Sequence, residues 1–198
     1  MVCTRILPIL ILLFAVVVGG CQSADTAMLI TVSPNSGIAI APVVNATGRP
    51  LPLPSGTVLD DLRQIMSIED TEALTVPDLL LGRLVLAAGA HGYTVVPFDK
   101  TRAVFPGPSS DMAAIIEKAR AAGLQGAVVL PILRRWDDRL WYSSRIIFVS
   151  MDITVARIRD AKTLDVKTIS NYAVPVSASL STYQAANDAA QWVADHLF

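Results

Sequence analysis

Cysteine is nearly absent from this sequence: among 198 residues there are only Cys3 and Cys21. Both lie close to the amino terminus, so nothing after position 21 can form a disulfide, act as a thiolate nucleophile or donate sulfur to a metal. Histidine is as scarce, with only His91 and His196, too few for a histidine-rich metal cluster. There is no Gly-x-Ser-x-Gly elbow, no phosphate-binding glycine loop and no Gly-x-Gly-x-x-Gly fingerprint, which removes the usual local signatures of hydrolases, nucleotide hydrolases and dinucleotide enzymes. Charged residues make up 17%, Lys and Arg total 16 against 17 Asp and Glu, and no basic run occurs. Nucleic-acid binding needs clustered cations to neutralise phosphates, so it is not expected.

Hydrophobicity is what the sequence has in excess, at 53% of residues and a mean hydropathy of +0.51. Much of it is at the front. Ile6 to Val18 is an apolar run of 13 residues containing Pro8, preceded by Arg5. A membrane-spanning helix needs about 20 apolar residues, so a cleavable leader is the better reading than a permanent span. The run ends in Val18-Gly19-Gly20-Cys21, which is similar to the bacterial lipobox: an aliphatic residue, two small residues that let a signal peptidase close on the scissile bond, and a thiol to acylate. An ordinary secretory signal with an incidental cysteine is the alternative. The expectation is a signal peptide over 1–20, cleavage between Gly20 and Cys21, and membrane attachment through an N-acyl diacylglyceryl cysteine at Cys21. Several acyl chains make such an anchor essentially permanent. Gln22 in place of an aspartate favours the outer membrane, facing the periplasm, by analogy with proteobacterial sorting. Loss of Arg5 leaves the remainder one unit more acidic than the −1 of the whole chain.

Residues 21–36 read as a tether and 37–198 as a single α/β domain. A strand is expected at Gly37–Val44, then a proline-rich loop over Asn45–Gly56 with Pro50, Pro52 and Pro54. A short helix is expected at Val58–Met66. A stronger one begins at Thr75, where Asp78 completes capping-box spacing, and runs to Ala88. Tyr93–Phe98 is read as a second strand, Asp111–Ala122 as a helix stopped by Gly123, and Gly126–Leu133 as a third strand. This β-α-β-α-β order implies a three-stranded parallel core with right-handed crossovers. Trp136–Arg139 then reads as a turn. Arg145–Arg159 alternates, with Val149, Met151, Ile153 and Val155 on one face and a slip near Ala156 where a bulge fits. Asp160–Thr163 turns into a returning strand at Leu164–Val174, so an antiparallel meander extends the core. Ser181–Phe198 is read as a carboxy-terminal helix with Ala185, Ala189, Trp192, Val193 and Leu197 near one face.

Four segments taken in order carry a resemblance: IAIAPVVN at 38–45, GYTVVP at 92–97, AGLQGAVV at 122–129 and VARIRDAKT at 155–163. Together they look like the α/β domain of small periplasmic lipoproteins related to the TolB amino-terminal domain, the penicillin-binding-protein activator LpoB, the curli secretion lipoprotein CsgG and a family of meningococcal surface lipoproteins. The last is nearest in size and layout. The long segment between Asn45 and Val76 departs from the pattern, as does the missing glycine after the Asp-x-x-Thr turn. The resemblance implies a non-enzymatic role in holding, activating or assembling envelope proteins. It also brings in a ring-forming secretion component, disfavoured here because the sequence shows no pair of long amphipathic strands for a pore wall.

The candidate chemistry is sparse. Asp60-Asp61, Glu69-Asp70-x-Glu72 and Asp137-Asp138 are read as solvated carboxylates in polar loops or helix ends. His91 is read as a surface or capping residue, and His196 as solvated. No catalytic residue, metal or cofactor is expected. The stretch Arg134, Arg135, Trp136, Arg139, Trp141 and Tyr142 is the candidate partner-binding site, because arginine and large aromatics carry binding energy at interfaces. Two other readings stay open at this point: Trp136 and Trp141 cap the core while the arginines are solvated, or Trp136, Trp141 and Tyr142 form a stacking platform for a small molecule or glycan. Trp192 is assigned to the core, and a homo-oligomer is compatible with all of this.

Overall fold

The computed structural model describes residues 37–53 and 74–198. The leader over 1–20, the Gly20/Cys21 cleavage site, the tether, the Val58–Met66 helix and the acidic pairs between Asp60 and Glu72 lie outside the described residues. The fold is α/β: among the described residues, one mixed sheet of five strands with four helices, the last at the carboxy terminus.

Two short strands, β1 (Ile38–Ile40) and β2 (Val44–Asn45), run parallel to the first part of β3 (Ala127–Trp141). The expected single strand at 37–44 is therefore two pieces, parted at Ala41-Pro42-Val43. Proline has no backbone N–H to give to the ladder. β3 continues antiparallel to β4 (Ser144–Arg157), and β4 to β5 (Thr163–Ser177). The expected second parallel strand at Tyr93–Phe98 is reduced to one bridge, Ile38 to Val95, held by Ile38 N–H to the Thr94 carbonyl and Val96 N–H to the Ile38 carbonyl, both at 2.8 Å. Pro97, with its φ fixed at −51°, is then the N-cap of a helix not anticipated from the sequence, α2 (Phe98–Val104), which takes the chain away from β1.

The other helices follow their local signals. α1 (Val76–Ala90) has Thr75 as N-cap and a reciprocal capping box with Asp78. α3 (Met112–Ala121) is capped by Asp111, and Gly123 follows it at a φ of 68°. α4 (Thr182–Leu197) has Ser181 and Gln184 in a second capping box.

The sheet is covered on both sides at its β1 end. On one face α1 and α4 bury Leu79, Leu80, Leu84, Ala189 and Val193 against Val129, Leu133, Ile147, Val149, Met151 and Ile153. On the other, α3 and Phe105 bury Ile115, Ile116 and Ala119 against Val128, Leu130 and Ala156. Arg83, buried on α1, donates to Asn187 of α4 at 2.9 Å, fixing the two helices together. The alternation expected for β4 is present, and its register against β5 shifts between Val155 and Ala156, where the slip was read. β3, β4 and β5 have 15, 14 and 15 residues. Long amphipathic strands therefore do exist, contrary to the sequence reading, but helices cover their apolar face.

Candidate interaction site

The largest departure from expectation lies at residues 136–139. These are not a turn but the continuation of β3, paired with β4 from Asp137↔Phe148 through Trp141↔Ser144. The chain reverses at Tyr142 and Ser143 instead. Two aspartates in a row resemble a turn, yet here each is neutralised. Asp137 accepts hydrogen bonds from Arg139 Nε at 2.9 Å and Arg135 Nη2 at 3.1 Å, and these arginines hold its carboxyl below the ordinary carboxylate value. Asp138 faces the other side of the sheet and pairs in a bidentate fork with Arg145, whose Nε lies 2.8 Å from Oδ1. Arg145 is only 7% exposed, is held in its charged form by Asp138, and also donates to the Leu180 carbonyl at 3.0 Å. A buried charge without such a partner would be costly. The acidic pair is thus part of a cross-strand ion-pair system rather than solvated.

A bulge decides which aromatics are buried. The β3–β4 register shifts between Leu133 and Arg135, with Arg134 unpaired in the ladder. The phase of alternation resets there, so Leu133 and Trp136 both point into the α1/α4 core. Trp136 is 5% exposed, whereas Trp141, an odd number of positions later, is 63% exposed. The core-cap reading holds for Trp136 and fails for Trp141. The three-ring stacking platform loses Trp136. What remains at the tip is Leu140, Trp141 and Tyr142, with Tyr142 fully exposed and at a φ of 46°. A left-handed conformation is unusual for a bulky side chain and is adopted at lower steric cost by glycine or asparagine.

Behind the tip, one face of the sheet carries no helix among the described residues. Arg135 and Arg139 sit over the Phe148 ring at 5.1 and 5.3 Å, two cations against one aromatic. Arg134 pairs with Asp152 at 2.8 Å, and Asp152 also accepts from Thr168 at 3.0 Å. Arg49 was not singled out from the sequence. It reaches in from the loop after β2 and donates to the Trp136 carbonyl at 2.5 Å. Thr47, Arg49, Arg134, Arg135, Trp136 and Asp137 line a depression of about 250 Å³. Pro50 and Pro52 of that loop line a separate apolar groove of about 480 Å³ with Pro42, Pro77 and Pro108, and Pro54 lies outside the described residues.

His91 is exposed at the end of α1, its N–H bonded to the Ala87 carbonyl at 3.0 Å, a capping position as expected. His196 is exposed but not isolated: it stacks on Trp192 at 3.7 Å, and Trp192 stacks on Tyr172 of β5 at 4.0 Å. Trp192 is therefore half-buried at the edge of the core, not inside it. Among the described residues no group of three or more His, Cys, Asp or Glu is placed to hold a metal ion. No helix among them is long and apolar enough to cross a membrane.

No protein-family model matches the chain, and no curated protein matches it in sequence. Solved structures do. The lipoprotein GNA1162 from Neisseria meningitidis is 13% identical, covering 80% of this chain and 94% of its own, with a TM-score of 0.45. The PelC dodecamer from Paraburkholderia phytofirmans is 10% identical over 85% of this chain and 91% of its own, with a TM-score of 0.48. The LpoB C-terminal domain from Salmonella enterica is 12% identical over 73% and 84%, with a TM-score of 0.41. These are distant likenesses in chain path, and no residue role is carried over from them.

Proposed function

We propose that the protein is an accessory factor of the bacterial envelope, anchored to the outer membrane by lipid on Cys21 and facing the periplasm, which contacts another envelope protein through the β3–β4 hairpin. The observation that carries this reading is the tip: Leu140, Trp141 and Tyr142, consecutive across the end of β3 and its two-residue turn, are 59%, 63% and 107% exposed. Large apolar side chains held out together cost solubility and gain nothing for the fold, so they are explained by something that covers them. Position along the sheet supports a protein partner. β3 meets β1 at Ala127, beside Gly37, and reaches Trp141 14 residues on. At about 3.3 Å per residue the tip stands roughly 45 Å from where the chain arriving from Cys21 enters the sheet.

Two variants test the two halves. Cys21→Ser is expected to abolish acyl labelling and move the protein to the soluble fraction; persistent labelling removes the anchor from the account. Tagged wild-type protein purified from crosslinked membranes is expected to bring down a specific protein that Trp141→Ala/Tyr142→Ala does not. Trp136→Ala is unsuitable for this purpose, because that ring is core. Recovery of the same proteins with a folded tip variant would rule out the hairpin as the contact.

A further inference from the structure

We propose that the depression between the loop after β2 and the bulge of β3 is a carboxylate-binding site, distinct from the hairpin tip. Parallel pairing of Val44 with Ile132 and Asn45 with Leu133 lays the loop alongside Arg134–Asp137. The loop is built rather than slack. Asn45 Oδ1 accepts from Thr47 N at 3.1 Å and from Thr47 Oγ1 at 2.7 Å, while Asn45 Nδ2 donates to the Arg49 carbonyl at 2.8 Å. Gly48, at a φ of 77°, makes the reversal. Thr47 and Arg49 are thereby presented to the depression with little ordering left to lose on binding.

Its charge is unbalanced. Three guanidinium groups, from Arg49, Arg134 and Arg135, meet Asp137 of the lining and Asp152, which pairs with Arg134, so cations outnumber carboxylates in a chain whose overall charge is −1. Each guanidinium has five N–H donors. Among the described residues Arg134 uses only Nε, toward Asp152, and Arg49 only Nη2, toward the Trp136 carbonyl. Donors therefore remain at the rim of a polar concavity of about 250 Å³. Planar forks of this kind match a carboxylate in bidentate fashion. Within the lining, Asp137 takes up one such donor, accepting from Arg135 Nη2 at 3.1 Å. An acidic side chain of an extended peptide and a small free polycarboxylic acid share this chemistry.

The test uses the full-length protein in non-ionic detergent at low salt. Binding of a fluorescein-labelled hexaglutamate peptide is followed by anisotropy, with citrate and inorganic phosphate as competitors. Binding is expected to weaken about tenfold in Arg134→Gln and in Arg49→Gln, as befits loss of one charge-assisted fork. It is expected to be unchanged in Trp141→Ala/Tyr142→Ala and in Arg157→Gln, whose surface pair with Asp160 lies away from the site. Displacement of the peptide by citrate assigns the site to free acids, and failure of citrate to displace it assigns a peptide carboxylate. Either result upholds the site. Arg134 is half exposed, so its replacement leaves the fold intact. Equal affinity in Arg134→Gln, absence of binding at low salt, or displacement by phosphate alone overturns the proposal. None of these outcomes bears on whether the tip captures a protein.

Discussion

Trp136 and Trp141 lie on one strand and have opposite surroundings, with 5% and 63% of their surface exposed. Trp136→Ala removes a ring packed among Leu133, Ile147 and Val149 and is expected to lower unfolding free energy by about 3–5 kcal/mol in urea titration. Trp141→Ala is expected to stay within about 0.5 kcal/mol of wild type. Tyr142 occupies its left-handed turn position at a steric cost, so Tyr142→Asn is expected to raise stability by roughly 1 kcal/mol in the same titration. Asp137 titrates below the ordinary value of 3.8, chiefly because Arg139 and then Arg135 donate to it. A folded-state pKa lowered in this way adds stability above the unfolded value, and that stability is lost as pH falls through the folded one. Asp137→Asn should therefore unfold with a shallower pH dependence below about pH 4 than wild type, as measured by thermal melts across that range. The aromatic and arginine content of 134–142 was legible in the sequence. Which tryptophan is core was not, because the bulge at Arg134 reverses the alternation from which burial is read.

Elements whose signals are local were legible. The capping boxes at Thr75/Asp78 and Ser181/Gln184 need only three-residue spacing and mark the starts of α1 and α4. The end of β3 was not legible, because the stability of Asp137 and Asp138 in a strand depends on Arg135, Arg139 and Arg145, and the cross-strand fork to Arg145 appears only once the turn is placed at Tyr142. The second parallel strand failed for a different reason: the helix α2, with Pro97 as its N-cap, cuts short a pairing that Val95 and Val96 begin. The approach of β1 to β3 rests on Gly126, at a φ of 93°, where an added Cβ would lie 2.1 Å from the Gly37 carbonyl oxygen. No shift of a flexible side chain can relieve a clash with backbone. Gly126→Ala is expected to cost about 2–4 kcal/mol in urea titration, with the earliest loss of amide-exchange protection at Ile38 and Ile40.

At the scale of the molecule, the mixed α/β class was legible because helical and alternating periods change over after Leu133 and local signals do not conflict with them. Helices cover the sheet where β1, β2 and β3 run together, and the long antiparallel hairpin carries its apolar tip beyond them. A photoreactive phenylalanine analogue at position 142, with the same residue at Lys118 on the exposed side of α3 as control, tests this arrangement directly in intact membranes. Irradiation is predicted to give one discrete crosslinked species from position 142 and none from position 118. The absence of a crosslink at 142, or the same products from both positions, would contradict a partner held by the hairpin tip.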